Sequence, residues 1–558
     1  FSLNGGLLRS RAGAGIAFNR QVYRQRTLRL IFFQNRILYI LGFGLGCVSQ
    51  SLWAQVAFQP QAENGIYSQK RQAGEIEMVV TAQDGIPVFK TTSTEEADIC
   101  GQLSLGDKVF VQKKRNQPLP FELIKIRLEK AVGNCRQIAY VQTGFLMDPY
   151  YAGNGGKQST GSRSWKSSIP QFETRCEERR GNNKIIISFV GDVLLHGPLQ
   201  QQAYSQSGRF QTLWDQLNPV FKDADIAYAN LEGPAAEGVN CQGQMTKKNQ
   251  MVLDPQCGKS RSSVYTSYPM FNYHPSVTED LVTSGFDIVS TANNHVLDRY
   301  SNGVDQTIDA LQRSGLAFMG TRKQFSDSGF YTVTRTRSRG GQVFNIAWVA
   351  CTFSANGFVD KKNQVLNCYN YGKNGSPIFS QTNPEVLSLV GRLANTKGID
   401  GVIVTPHWGP TEYTHSVHSS QSRLAYELVE SGATAVIGAH PHVLQPWEVI
   451  KTNSGREGFV HYSLGNFVSN QKQANRRASL VLLVGFQKDG RGQLRVDGVR
   501  YIPTYLNSWG GGRYSRELIP LDRGKQANAQ GRESLKSTLS LFPDELRLNS
   551  TDELSTCY

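Results

Sequence analysis

Short apolar, β-branched segments recur through the middle of the chain, and each ends in polar residues able to bind a cation. Lys184–Val190 leads into Gly191-Asp192, Asp225–Ala229 into Asn230-Leu231-Glu232, and Phe286–Ala292 into Asn293-Asn294-His295. Gly401–Pro406 leads into His407, and Ala433–Ala439 into His440-Pro441-His442. Runs of this length and composition, bounded by polar turns, predict buried strands. Helical patterns separate several of them. One opens on Ser276-Val277-Thr278-Glu279, which has the form of a capping box, and stops at Gly285. A second puts Val304, Ile308 and Leu311 on one face before Gly315, and a third does the same with Leu424, Leu428 and Val429 before Gly432. Alternation of strand and helix predicts an α/β layer architecture with a largely parallel core, whose ligands collect beyond the carboxyl ends of the strands. Five strands would then carry Asp192, Glu232, Asn294, His407 and His440 to one edge.

That edge has a definite chemistry. All nine histidines lie between His196 and His461, and carboxylates mixed with neutral imidazoles suit zinc, manganese or iron. Two such ions about 4 Å apart would activate a water and steady both oxygens of a displacement at phosphorus. Each motif alone has an ordinary explanation, a Gly-Asp turn or a loop histidine. Five strand ends in one segment favour a shared site.

The motifs also resemble a known family. Gly191-Asp192-Val193, Asn230-Leu231-Glu232-Gly233, Ala292-Asn293-Asn294-His295 with Asp298, His407-Trp408-Gly409 with Glu412-Tyr413, Gly438-Ala439-His440-Pro441-His442-Val443 and Tyr462-Ser463-Leu464-Gly465-Asn466-Phe467 match, in order and spacing, the CapA family of bacterial capsule-synthesis proteins, associated with poly-γ-glutamate. The resemblance covers about residues 184 to 505. It implies a calcineurin-like metallophosphoesterase fold, a two-sheet sandwich flanked by helices. It further implies that Asp192, Glu232, Asn294, His407, His440 and His442 are metal ligands, Glu232 bridging two divalent ions, and that His295 is the leaving-group acid. Two positions depart from the phosphoesterase pattern: Leu194 stands where a histidine is usual, and Glu232 where an aspartate is usual. His196, two residues on, either reaches an ion or sits in the loop.

Secondary candidates surround this set. Asp298 either orients His295 or caps the following helix. Lys247 and Lys248, in an insert from Pro234 to Tyr273, either steer an anionic polymer or phosphoester to the ions or form a solvated loop. Glu412 and Tyr413 are candidate substrate contacts, and Asn466 a further site residue or a turn.

Charge and cysteine change the picture mainly at the amino end. The net charge is +15, yet Arg9, Arg11, Arg20, Arg24, Arg26, Arg29 and Arg36 precede the first acidic residue, Glu63; without those seven it is +8. With no reader motif either, nucleic acid is excluded as a partner. The arginines flank Ile37–Gly46, an apolar core shorter than the roughly 20 residues a bilayer span needs. This predicts a secretion leader over residues 1–54, with cleavage near Ala54 or acylation, hence membrane attachment, at Cys47. The chain opens at Phe1 without methionine, as a fragment or an upstream extension would. Eight further cysteines suit an exported protein of periplasm or envelope, and Cys100–Cys135, Cys241–Cys257 and Cys351–Cys368 are the locally plausible pairs, leaving Cys176 and Cys557.

Short strand-like runs over 76–148 predict a small barrel that resembles a bacterial SH3-like domain, serving as a wall contact or a spacer. A Gly- and Ser-rich linker follows over 149–183, then the metal-bearing domain over 184–520 and a loosely packed tail over 521–558. The expected function is an exported, metal-dependent hydrolase of capsule polymer synthesis or export. The alternative is a noncatalytic assembly factor that holds the polymer in the same pocket.

Overall fold

The computed structural model describes residues 183–552 apart from 207–208, 374 and 509–515, together with Leu554 and, largely as backbone, seven strands nearer the amino end. Those seven are β1 (Glu75–Val80), β2 (Ile86–Phe89), β3 (Ile99–Leu103), β4 (Lys108–Gln112), β5 (Leu123–Leu128), β6 (Ile138–Gln142) and β7 (Leu146–Met147). They form one antiparallel sheet in the order β3-β2-β6-β5-β4-β1-β7. The expected small barrel falls on these strands, but its connecting segments lie outside the described residues. So do the leader, Cys47, nearly all of the linker and Cys135, the partner expected for Cys100.

From residue 184 onward two large sheets are built. Their strands are β8 (Lys184–Val193), β9 (Ile226–Leu231), β10 (Ile288–Ser290), β11 (Ala317–Met319), β12 (Tyr331–Arg337), β13 (Val343–Thr352), β16 (Gly401–His407), β17 (Ala435–Ile437), β18 (Leu444–Lys451), β19 (Glu457–Leu464), β20 (Asn466–Val468), β21 (Ala478–Lys488), β22 (Leu494–Ser508) and β23 (Arg516–Pro520); β14 (Tyr369–Tyr371) and β15 (Pro377–Thr382) make a separate hairpin. The first sheet runs β11-β10-β9-β8-β21-β22-β23, with β20 also pairing β8. The second runs β12-β13-β16-β17-β19-β18. The first is parallel from its edge strand β11 through β8 and antiparallel beyond, through β21, β22 and β23; in the second, parallel β13, β16, β17 and β19 are flanked by antiparallel β12 and β18.

The single edge expected from the sequence is thus formed by two sheets. Asp192 lies at the end of β8 and Glu232 and Asn294 follow strands of the same first sheet, while His407 ends β16 and His440 follows β17 in the second. Side-chain alternation shows how the sheets meet. Ile185, Ile187 and Phe189 of β8 share a core with Phe344, Ile346 and Trp348 of β13, while Ile186 and Val190 turn outward into a different cluster. Tyr228 of β9 stacks on Trp348 at 6.0 Å and 10° between ring planes, across the interface.

Helices cover the outer faces: α1 (Gly197–Ser205), α2 (Asn218–Asp223), α3 (Ser276–Ser284) and α4 (Tyr300–Ser314) belong to the first half, and α5 (Pro384–Ala394) and α6 (Ser419–Ser431) to the second. The amphipathic faces are those expected, with Val304, Ile308 and Leu311 buried on α4 and Leu424, Leu428 and Val429 on α6. Gly285, Gly315 and Gly432 end α3, α4 and α6 in the left-handed conformation, which costs glycine nothing. The capping box at Ser276 does not form. Ser276 already lies inside α3, and its backbone N–H donates instead to His274 Nδ1 at 3.2 Å. A capping box does close α6, from His418 and Gln421, which the sequence pattern did not mark because histidine is an unusual cap.

Beyond α7 (Ala474–Arg477) and the long β21–β22 pair, the carboxyl end is not loose. It forms α8 (Ala529–Leu541), and Phe542 inserts, fully buried, against Trp447, His461 and Tyr501. The disulfides Cys241–Cys257 and Cys351–Cys368 are both present. Among the described residues no helix is long and apolar enough to cross a membrane.

Candidate metal centre

The strand ends deliver a buried cluster of carboxylates and imidazoles. Ligand atoms of Asp192, Glu232 and His442 lie within 4.8 Å of one another, and so do those of Glu412, His440 and His442. His442 belongs to both trios. Its Nδ1 lies 3.1 Å from Asp192 Oδ2 and 3.0 Å from Asn466 Oδ1, while its Nε2 lies 3.8 Å from Glu232 Oε1. His407 approaches the same Glu232 oxygen at 3.7 Å from Nε2, which also meets Asn294 Oδ1 at 3.0 Å.

The backbone is bent to make this possible. His440, His442 and Tyr413 occupy the left-handed region, at φ values of 101°, 57° and 64°. Such conformations are costly for these residues and tend to persist at functional sites. Close packing behind them leaves room only for glycine: a Cβ on Gly438 would stand 2.2 Å from the Tyr462 carbonyl oxygen.

The donor set fits a cation. Both oxygens of Glu232 and the Nδ1 of His440 are buried and accept no hydrogen bond, which is costly for such groups unless something positive completes them. Burial, and after it the Asp192 charge, push the Glu232 carboxyl above the usual range. Burial, then the neighbouring imidazoles, hold His407 and His440 well below the ordinary histidine value, so both are neutral and ligand-competent. Burial would depress His442 as well, but Glu232 and Asp192 outweigh it and raise its pKa.

His295 stands beside the cluster on the turn that follows β10. Its Nδ1 meets Asp298 Oδ2 at 2.8 Å. Burial opposes its protonation, and Asp298 reverses the balance, so its pKa is raised. Of the two readings of Asp298, orientation of His295 is the one observed; the helix that follows has no side-chain cap, and Asp298 also accepts from the Phe271 N–H at 2.6 Å. His196 joins neither metal trio. Its Nδ1 sits 3.2 Å from both the Leu194 carbonyl and the Asn470 N–H, and its ring meets Phe271 edge-on.

The insert reaches the site through aromatic residues. Phe271 packs edge-on against His295 at 4.8 Å, and the Tyr273 hydroxyl donates to the Glu232 carbonyl at 2.5 Å. Lys247 and Lys248 are exposed, and Lys248 is paired with Asp254 inside the insert. Glu412, expected as a substrate contact, has a carboxylate oxygen within 4.8 Å of ring nitrogens of His440 and His442. Tyr413 stacks on the His442 ring at 5.9 Å.

Two neighbours escaped the sequence reading. Asn230 donates from Nδ2 to Asp192 Oδ1 at 2.8 Å and lies 3.2 Å from His407 Nδ1, fixing both. Strand alternation puts Asn230 on the same side as Glu232, a signal that was available. Phe353 lies 4.3 Å from the His440 ring and 6.3 Å from that of His407, and nothing local to its sequence marks it.

Comparison with known proteins agrees with this geometry in extent. The chain is 26% identical over 326 residues, 57% of its length and 68% of the relative's, to "Capsule biosynthesis protein CapA" of Bacillus anthracis. It is 26% identical over 331 residues, 59% of its length and 74% of the relative's, to "PGA biosynthesis protein CapA" of Bacillus subtilis (strain 168). Among solved structures it matches "Putative 5'-Nucleotidase from Staphylococcus aureus in complex with alpha-ketoglutarate" at 14% identity and a TM-score of 0.32, covering 64% of this chain and 58% of that one. The family model described as "Bacterial capsule synthesis protein PGA_cap" matches residues 186–471, the span that carries every candidate ligand, and the chain belongs to that family.

Proposed function

We propose that this chain is an envelope protein of capsule polymer synthesis, of the poly-γ-glutamate type, and that its metallophosphoesterase-like centre is a divalent-metal-dependent hydrolase. The observation that carries the reading is Glu232, whose two buried oxygens lack hydrogen-bond partners while His407 and His442 approach one of them at 3.7 and 3.8 Å. Asp192, Glu232, Asn294, His407, His440 and His442 would hold the ions, with Glu412 beside His440 and His442; manganese, iron or zinc suits this mixture. Such ions, when bound, supply Lewis-acid polarisation of a substrate oxygen.

The protein's own groups do the rest. Asp298 holds a proton on His295 Nδ1 and stabilises the imidazolium, leaving Nε2 to protonate a departing oxygen. Phe271 and Phe353 flank the imidazoles and limit water around them. Names of relatives support a capsule role, and two disulfides, bonds that persist in oxidising compartments, support an extracellular or envelope location. The seven-stranded amino-terminal sheet would serve as a wall contact or spacer.

A second reading has one observation in its favour. Leu194 is buried in the core and His196 is engaged by the loop backbone, so the first aspartate has no histidine partner nearby in sequence. The site would then grip the anionic polymer without turnover. Elemental analysis of protein made in its native compartment, with a screen of phosphorylated and poly-glutamate substrates, separates the two. Hydrolysis that His295→Ala abolishes while metal is retained supports the enzyme. Stoichiometric metal with no turnover of any substrate supports the binding factor, and metal-free protein overturns both.

A further inference from the structure

We propose that the Cys241–Cys257 disulfide is a redox latch on the proton-donor side of the centre: closed, it seats the returning limb of the insert against His295 and Asp298, and a dithiol that opens it unseats that limb while the metal ligands stay in place. Its bearing on catalysis rests on the reading of His295 above; the latch itself does not.

The insert has little backbone pairing to hold it. Between Pro234 and Tyr273 there is no helix and no strand of the large sheets, and the isolated pairings are Val239 with Met245 and Thr266 with Asn272. Cross-links therefore set its shape. The disulfide joins Cys241 on the outgoing limb to Cys257, 16 positions on, and both ends bear on the returning limb. The Cys241 N–H donates to the Ser263 carbonyl at 3.0 Å, and Cys257 Sγ lies 3.7 Å from Thr266 Oγ1.

Thr266 leads directly to the centre. Its N–H and carbonyl both pair with Asn272 at 3.1 Å, closing a turn that carries Phe271. The buried Arg299 clamps the same limb, donating to the Val264 carbonyl at 3.0 Å and to Thr266 Oγ1 at 2.5 Å. From this turn the Phe271 N–H reaches Asp298 Oδ2, the oxygen that also meets His295 Nδ1. Unseating the turn takes that donor from Asp298 and the Phe271 ring from His295, and opens the pair to water. Asp192, His407 and His440, by contrast, are carried by strands of the two sheets or by the turn directly after one.

The two disulfides differ in access. Cys351 and Cys368 are 0% exposed, whereas Cys257 is half-buried. A thiolate of a dithiol attacks the Cys257 sulfur and expels Cys241 as a thiolate. The second thiol of the reagent then displaces Cys257, so two electrons pass to the protein and the reagent leaves as its own disulfide. Oxidising surroundings reverse the exchange. The proton-donor side is thus assembled only where disulfides persist, and a chain in reducing surroundings carries the ligands with that side open.

The test uses the full chain untreated, after mild dithiothreitol treatment, and as the Cys241→Ser/Cys257→Ser double variant, each loaded with manganese and analysed for metal. Amide hydrogen exchange is read by mass spectrometry over residues 264–273, with β8 and β16 as internal controls. Losing the cross-link should speed exchange over 264–273 about tenfold or more, with β8, β16 and metal content unchanged; reoxidation should restore the treated protein. Unchanged exchange over 264–273 in the double variant overturns the proposal. So does exchange that rises equally in β8 and β16, since the disulfide would then hold the whole domain, and so does metal lost together with the cross-link. Failure of the metal-centre reading shows separately, as untreated protein that takes up no manganese while the exchange comparison still stands.

Discussion

At the scale of single residues, burial sets the behaviour of the charged groups. Glu232 is fully buried with no hydrogen bond to either oxygen, so its stability in place depends on a cation. Glu232→Gln should lower metal affinity by more than about tenfold, read by chelator competition, while the metal-free protein keeps its fold because a neutral amide is cheaper to bury. His461 makes the opposite case, away from the ligand cluster. Its ring is enclosed by Trp447 and Phe542, neither nitrogen has a partner, and burial lowers its pKa to about 3. The unfolded chain, with a histidine near 6.5, takes the proton first, so the stability this group contributes is full above pH 6.5 and falls as pH drops toward 3. The slope is about 1.4 kcal/mol per pH unit inside that window. His461→Phe should flatten the acid limb of the denaturation midpoint against pH, in urea titrations between pH 7 and about 4.

At the scale of elements, the site depends on where the first strand ends. β8 runs on past Gly191 so that the Asp192 N–H reaches the Gly465 carbonyl at 3.1 Å, and β20 pairs with its last residues. A Cβ on Gly191 would stand 1.9 Å from that carbonyl oxygen. Gly191→Ala must therefore separate β8 from the turn before β20, moving Asp192 away from His442. The expected cost is about 2 kcal/mol, seen as a lower thermal midpoint together with reduced metal content. Helix ends are more tolerant, since caps contribute about 1 kcal/mol each.

At the scale of the whole molecule, two sheets share one interior and the carboxyl-terminal segment helps to close it. Phe542 packs on Trp447 at 4.5 Å between centroids and stacks beside His461. Phe542→Ala should cost about 3–5 kcal/mol in denaturant unfolding, although the residue is remote in sequence from every ligand. If its loss is nearly neutral, the carboxyl-terminal segment is a passenger and the sheets alone hold the site.

Strand positions, the faces of α4 and α6, the glycine stops and two disulfide pairs were legible in the sequence, because periodicity, left-handed backbone and short loop closure are local properties. The candidate ligand residues were legible for the same reason: each follows a strand that announces itself. What the chain could not announce is which residues meet. Glu412 was legible as a candidate substrate contact, but its place beside His440 and His442 is set by the folded turn at Tyr413 and not by its own sequence. Ser276 satisfied a capping pattern and capped nothing, because His274 competed for its N–H. The tail read as loose because its polar residues hide one phenylalanine that the sheets needed. Sequence fixes what each segment prefers by itself; the packing of two sheets across 250 residues of chain, the separation of Asp192 and His442, decides which side chains share a site, and that energy exists only once the core has formed.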